Sequence, residues 1–225
     1  MYSMEIKELL SKCDYTLLDR SATIDDIMAV VDDGIKYGVA SVCIPPCFVK
    51  QASEYANGRV KICTVVGFPN GYSSTRSKVV EAELAIIDGA DEIDAVINVG
   101  MLKAKNYDDI IKEISAIKKA CGSKILKIII EACLLTDEEK VATCALVYKG
   151  GADYIKTSTG FSVGGATTHD VALVKANISP LVKIKAAGGI RTIEQAKEFI
   201  SLGADRIGTS GIIKAVKQLE KEKGE

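Results

Sequence analysis

Lys156 lies in Asp153-Tyr-Ile-Lys-Thr-Ser-Thr-Gly160, inside a short β-like run that ends in a glycine loop. Lys185 follows 29 residues later, in Lys183-Ile-Lys-Ala-Ala-Gly-Gly-Ile-Arg191. A lysine near the end of a buried strand is costly unless it is paired or working. Two of them, each followed by a loop suited to an anion, point to an amine that does covalent chemistry on a carbonyl. A free lysine has a pKa of about 10.4 and is almost fully protonated at neutral pH. Desolvation or a neighbouring cation favours the neutral amine, and Lys185 can be that cation for Lys156. Asp94 and Asp14 are placed to shuttle protons through a water.

The loops carry a second signal. Gly188-Gly-Ile-Arg191 follows the Lys185 run, and Gly208-Thr-Ser-Gly211 follows a later one; each opens a helical stretch. Glycines let backbone N–H groups approach an anion, and helix N-termini favour it. Phosphate is the natural ligand, although a carboxylate also fits. The stretch 160–167 is a third glycine-rich loop, expected to close over a substrate.

These groups need a scaffold that brings strand ends together. Gly-Ala-Asp recurs at 89–91, 151–153 and 203–205, each time between an amphipathic helical stretch and a β-rich run; Gly38-Val-Ala40 has the same place. A repeated helix–glycine–strand join marks alternating β/α units. Strands are expected at about 14–18, 39–44, 60–66, 91–97, 125–131, 153–157, 182–186 and 205–208, by period and composition. Helical patterns cover 77–88, 107–120, 137–149 and 193–201. Eight such units predict an α/β fold, a (β/α)8 TIM barrel, with an open doubly wound sheet as the alternative. No linker divides the chain, so residues 1–225 are expected to form one barrel domain. Residues 217–225 read as a charged, fraying tail.

Side chains alternate faces along a strand. Alternation turns Asp14, Thr16 and Leu18 inward, with Glu92, Asp94 and Val96, Lys127, Ile129 and Glu131, Tyr154 and Lys156, and Lys183 and Lys185. The lumen then holds lysines and carboxylates that can neutralise one another. The chain has 24 lysines, so a single inward lysine would mean little. Several ionisable groups on adjacent strands favour a functional site over a charge network without a task. Lys156 and Lys185 also sit near C-terminal strand ends, where barrel active sites form.

Composition narrows the classes. Net charge is −1, which gives no bulk field for nucleic acid or an anionic membrane. No apolar run reaches the length of about 18 residues expected of a membrane span, and the N-terminus lacks a signal-peptide shape, so a cytoplasmic protein is expected. The seven cysteines are read as reduced, with Cys43, Cys63 and Cys133 in or beside apolar runs as small hydrophobes. Cys43 and Cys47 are four apart, but no Cys/His pair completes a zinc site. His169 is the only histidine and reads as a helix-start residue.

Asp14-Tyr-Thr-Leu-Leu18, Ser41-Val-Cys-Ile-Pro-Pro46, Thr64-Val-Val-Gly-Phe-Pro69 and Ala90-Asp-Glu-Ile-Asp-Ala-Val-Ile-Asn-Val-Gly100 form a series that continues along the chain. Lys127-Ile-Ile-Ile-Glu131, Asp153 through Phe161, Lys185 through Arg191, and Arg206-Ile-Gly-Thr-Ser210 complete it. Together they resemble the deoxyribose-phosphate aldolases, which are class I aldolases. The resemblance implies reversible cleavage of 2-deoxy-D-ribose 5-phosphate to D-glyceraldehyde 3-phosphate and acetaldehyde, in deoxyribonucleoside breakdown. It implies Lys156 as the Schiff-base lysine, Lys185 as the lysine that tunes it, and Asp94 as its partner in proton transfer. Asp14, Cys43 and Lys127 then line the site, and Gly188, Gly189, Arg191, Gly208 and Ser210 hold the phosphate. Phe161 stands where one reading of the family has a lysine. The resemblance implies no metal, no organic cofactor, and a homo-oligomer, dimer or tetramer. Another phosphate-binding barrel, such as a ketose-phosphate aldolase or an isomerase, and a non-catalytic sugar-phosphate binder are the alternatives.

Overall fold

The computed structural model describes residues 4–222. The first half of the chain runs α1 (Met4–Leu10), β1 (Cys13–Thr16), α2 (Ile24–Tyr37), β2 (Ser41–Ile44), α3 (Val49–Ala56), β3 (Ile62–Val66), α4 (Thr75–Ile87), β4 (Glu92–Val96). It continues α5 (Val99–Lys103), α6 (Tyr107–Cys121), β5 (Ile125–Ile129), α7 (Asp137–Lys149), β6 (Tyr154–Lys156), α8 (Thr168–Asn177), β7 (Lys183–Ala187), α9 (Ile193–Ser201), β8 (Arg206–Thr209), α10 (Ile212–Glu222). The strands are parallel and close in sequence order, with β8 paired to β1. This is the (β/α)8 barrel, and closure excludes the open sheet.

Local chemistry sets the helix ends. Thr23, Thr136 and Thr192 open α2, α7 and α9 with reciprocal capping boxes to Asp26, Glu139 and Gln195. Gly38 closes α2 at φ 63°, a left-handed conformation that costs glycine nothing. The Gly-Ala-Asp repeat has a structural task. The Asp91 carboxylate accepts from the Ile62 N–H at the start of β3, Asp153 from Leu126 of β5, and Asp205 from Ile184 of β7. Each aspartate thus ties the base of the strand it precedes to the strand before it.

The main apolar core lies between the strands' outer faces and the helices, through residues such as Ile27, Val42, Ile93, Leu126, Ile128, Ile155, Ile184 and Ile207. The lumen is polar: Asp14, Glu92, Asp94, Lys127 and Lys185 are all 0% exposed.

Three expectations change. Lys183 shares the parity of Lys185 but lies two residues nearer the strand's start and is exposed, with its ammonium over the Tyr154 ring. Glu131 lies beyond the end of β5 in a left-handed conformation, φ 50°, so alternation no longer applies to it. Lys217 through Glu222 continue α10, because Ile212, Ile213 and Val216 bury its inner face; the rest of the expected tail lies outside the described residues. Among the described residues no helix is long and apolar enough to cross a membrane.

Candidate active site

Asp94 is the centre of the lumen. Register places it opposite Lys127, and Lys156 opposite Lys185, so four inward groups come from four consecutive strands. Asp94 Oδ2 accepts from Lys156 Nζ at 2.8 Å and from Lys185 Nζ at 2.7 Å. Its Oδ1 accepts from Lys127 Nζ at 2.8 Å and the Cys63 thiol at 3.3 Å. Lys185 also contacts Asp14 Oδ2 at 2.5 Å, and Lys127 contacts Glu92 at 2.6 Å. Arg206 joins Asp14 to Glu92 from β8.

The electrostatics follow from burial against pairing. Burial alone would raise the Asp94 carboxyl, but Lys127, Lys156 and Lys185 outweigh it and hold it well below the usual carboxylate range. Asp14 is held low in the same way by Lys185, Lys127 and Arg206. Burial alone would also strip protons from Lys185 and Lys127. The carboxylates reverse this and raise both above an ordinary lysine, Asp14 and Asp94 for Lys185, and Asp94 foremost for Lys127. Burial pushes the Cys63 thiol well up, which suits it as a hydrogen-bond donor to Asp94. Four cations (Lys127, Lys156, Lys185, Arg206) face three carboxylates (Asp14, Glu92, Asp94) in this cluster. Loss of one proton leaves it neutral.

Above the cluster opens a cavity of about 640 Å3 at the C-terminal ends of the strands. Of the seven charged groups only Lys156 lines it. Gly188, Gly189 and Arg191 from the loop after β7, and Gly208 and Ser210 from the end of β8, line it as well. Asp94, Lys185, Asp14, Lys127 and Cys43 lie one layer deeper, each 0% exposed. Cys43 packs there with Cys63 and Val65 beneath Leu18 and Phe68.

The loops are fastened to one another. The Ala166 N–H bridges the carbonyls of Ala187 and Gly188, and a Cβ on Gly165 would sit 2.3 Å from the Gly188 oxygen. Gly165 therefore permits the close approach of two loops. Thr209 Oγ1 donates to the Ile190 carbonyl and accepts the Gly211 N–H, joining the last two loops. Glu131 clamps the loop after Lys156, accepting from both the N–H and the hydroxyl of Thr159. Phe161 packs edge-on against Phe68, with centroids 5.3 Å apart.

Cys43, Cys63 and Asp94 bring three potential ligand atoms within 4.8 Å of one another. A metal cation there would face the ammonium groups that already hold Asp94, with Lys127 Nζ only 3.3 Å from Cys63 Sγ. The arrangement favours an amine reacting at the cavity floor over a metal centre.

Residues 11–215 match the DeoC/LacD family of aldolases. The chain belongs to that family. It is an aldolase, a carbon–carbon lyase. A deoxyribose-phosphate aldolase from Clostridioides difficile is 51% identical over 94% of this chain and 97% of that protein. Among solved structures, QR15, described as an aldolase, superposes with a TM-score of 0.90 at 37% identity, over 96% of this chain and 98% of that one. The deoxyribose phosphate aldolase of Aeropyrum pernix, described as a unique tetramer, gives 0.85 at 31% identity over 95% and 92% of the two chains.

Four charged groups of this DeoC/LacD-family site were not singled out by sequence reasoning: Arg206 in the lumen, and Asp19, Arg20 and Lys214 on the cavity wall. Arg206 has the inward parity of Gly208, and alternation along 205–208 could have found it. Lys214 lines the cavity from the first turn of α10. Its signal is a cation where a helix end favours an anion. His169 is the second residue of α8 and contacts Asp137 on the surface, away from the cavity.

Proposed function

We propose that the chain cleaves 2-deoxy-D-ribose 5-phosphate reversibly, giving D-glyceraldehyde 3-phosphate and acetaldehyde, through an imine on Lys156. The observation that carries this reading is that Lys156 alone reaches the cavity from a buried charge cluster, and two glycine loops suited to a phosphate line the same cavity. The neutral Lys156 amine adds to the C1 aldehyde, and loss of water leaves a protonated imine. That cation accepts the electron pair of the C2–C3 bond as it breaks. The C3 hydroxyl proton leaves to water, and the C3 carbonyl departs as glyceraldehyde 3-phosphate. A proton then returns to C2 of the enamine, and water releases acetaldehyde and the lysine.

Asp94 and Lys185 divide the supporting work. Lys185, fixed as a cation by Asp14 and Asp94, supplies a permanent positive charge beside Lys156. Asp94 Oδ2 bridges the two ammonium groups and is the path by which a proton passes between Lys156, Lys185 and cavity water. Lys127, Glu92, Asp14 and Arg206 hold that carboxylate in place, and Cys43 packs beneath it. Gly188, Gly189, Arg191, Gly208 and Ser210 bind the phosphate. No metal or organic cofactor has a step in this sequence.

The same reading extends to one barrel domain in the cytoplasm that assembles as a homo-oligomer, dimer or tetramer. Val80, Leu84 and Ile87 support assembly, since they stand 44%, 56% and 78% exposed at helical spacing along α4. Acetaldehyde with borohydride tests the chemistry. Reduction should add one ethyl group, located at Lys156 by peptide mass. An unmodified Lys156 sinks the imine mechanism.

A further inference from the structure

We propose that Lys214 binds the phosphate of the substrate and sets the preference for a phosphorylated over an unphosphorylated sugar. The proposal rests on the aldolase reading above and assigns to the same site a residue not so far given a role. Five charged side chains line the cavity: Asp19, Arg20, Lys156, Arg191 and Lys214. Lys156 is held at the floor by Asp94. Arg20, Arg191 and Lys214 remain, and among the described residues none of these three side chains has an ion pair with a carboxylate. The loop after β6 contributes Thr159, Gly160 and Phe161 to the wall, none of them charged.

The position of Lys214 is informative. It is the third residue of α10, whose first turn carries no acidic residue. The positive end of the helix dipole repels an ammonium there, unless an anion lies between them. Thr209 Oγ1 already takes up the N–H groups of Gly211 and Ile212, so those two donors are not free for a ligand. Charge recognition at this end of the cavity therefore falls to the side chain. Lys214 is exposed and extends from the same helix that Ser210 precedes, so its flexible stem can follow a phosphate seated against Gly188, Gly189 and Ser210.

The test compares cleavage of 2-deoxyribose 5-phosphate with cleavage of 2-deoxyribose in the wild type, Lys214→Ala, Lys214→Arg and Lys221→Ala. The ratio of the two kcat/KM values should fall about tenfold in Lys214→Ala, mainly through KM for the phosphate ester, as expected for loss of one charge-assisted contact. Lys214→Arg should keep most of the ratio. Lys221→Ala, which removes the same charge from the far end of α10, should keep all of it. Borohydride trapping of acetaldehyde on Lys156 in each variant verifies an intact site. An unchanged ratio in Lys214→Ala overturns the role of Lys214 alone. A wild type without preference for the phosphate ester overturns the substrate reading and Lys214 with it.

Discussion

Lys156 and Lys185 are register partners on β6 and β7, and both ammonium groups bond the same oxygen, Asp94 Oδ2, at 2.8 and 2.7 Å. Two like charges share one anion, and only one of them faces the cavity. Lys185 has a second carboxylate, Asp14, at 2.5 Å, whereas Lys156 has Asp94 alone. The asymmetry supports the proposed roles, Lys185 as the fixed charge and Lys156 as the amine that reacts.

Lys185→Leu should therefore lose activity and stability together. The loss extends to stability because Lys185 is completely buried, 0% exposed. The substitution leaves Asp14 and Asp94, both 0% exposed, without their shared cation. Breaking a buried pair from one side costs about 3–5 kcal/mol. The rate should fall by at least about 100-fold with the tuning charge and the proton path gone. Steady-state kinetics beside urea unfolding separate the two effects. A wild-type kcat would remove Lys185 from the mechanism.

Stability should form a plateau from about pH 5 to 8 and decline on both sides, for different groups. Asp14 and Asp94 have folded values below the ordinary carboxylate. A depressed value gives stability that is present above about pH 4, the unfolded value, and lost as pH falls below it. On the alkaline side burial pushes the Cys121 and Cys144 thiols each up to about 11. A raised value gives stability that is present below about pH 8.5, the unfolded value, and lost as pH rises through it toward the folded one. Each such thiol removes about 1.4 kcal/mol per pH unit in that window. Lys127 and Lys185, also raised, add their loss only above about pH 10.4. Urea unfolding between pH 7 and 10 should show the decline, with a shallower slope in Cys144→Ala. An identical slope in that variant would exclude Cys144 as a source.

Much of this site was legible before any coordinates. Alternation along a strand says which face a side chain takes, and it placed Asp94, Lys127, Lys156 and Lys185 together. It does not say how high along the barrel each one sits. That is why Lys183, with the parity of Lys185, emerges at the exposed base of β7. It also fails where a strand stops early: β5 ends at Ile129, and the left-handed turn at Glu131 sends its carboxylate to Thr159. The Gly-Ala-Asp repeat marked the helix–strand joins, but the bond from each aspartate to the preceding strand is a tertiary contact. Alternation also put Glu92 inward, yet its role as the link between Lys127 and Arg206 needed closure of β8 onto β1.

Gly208 provides a test of how tightly the lumen holds Lys185. It lies on β8 opposite Ala187 of β7 and Asp14 of β1. A Cβ there would sit 2.8 Å from Ala187 Cβ and 3.0 Å from Lys185 Cε. Ala187 Cβ moves only with its strand. Lys185 Cε ends a flexible chain, but its ammonium is fixed at Asp14 and Asp94. The methyl group of Gly208→Ala must therefore spread the paired strands β7 and β8 or push Lys185 off Asp94. Overpacking of this kind costs about 1–3 kcal/mol. The kcat should fall about tenfold or more, since the tuning charge moves relative to Lys156. Gly189→Ala makes the contrast. Its Cβ meets nothing within 4 Å, but φ is 78°, so that variant strains the backbone without touching Lys185. It should lose about 1–2 kcal/mol of stability and affect KM for the phosphate ester more than kcat. The comparison needs only kinetics and unfolding on two variants. If Gly208→Ala keeps the wild-type kcat, the strands have absorbed the methyl group and Lys185 still holds Asp94.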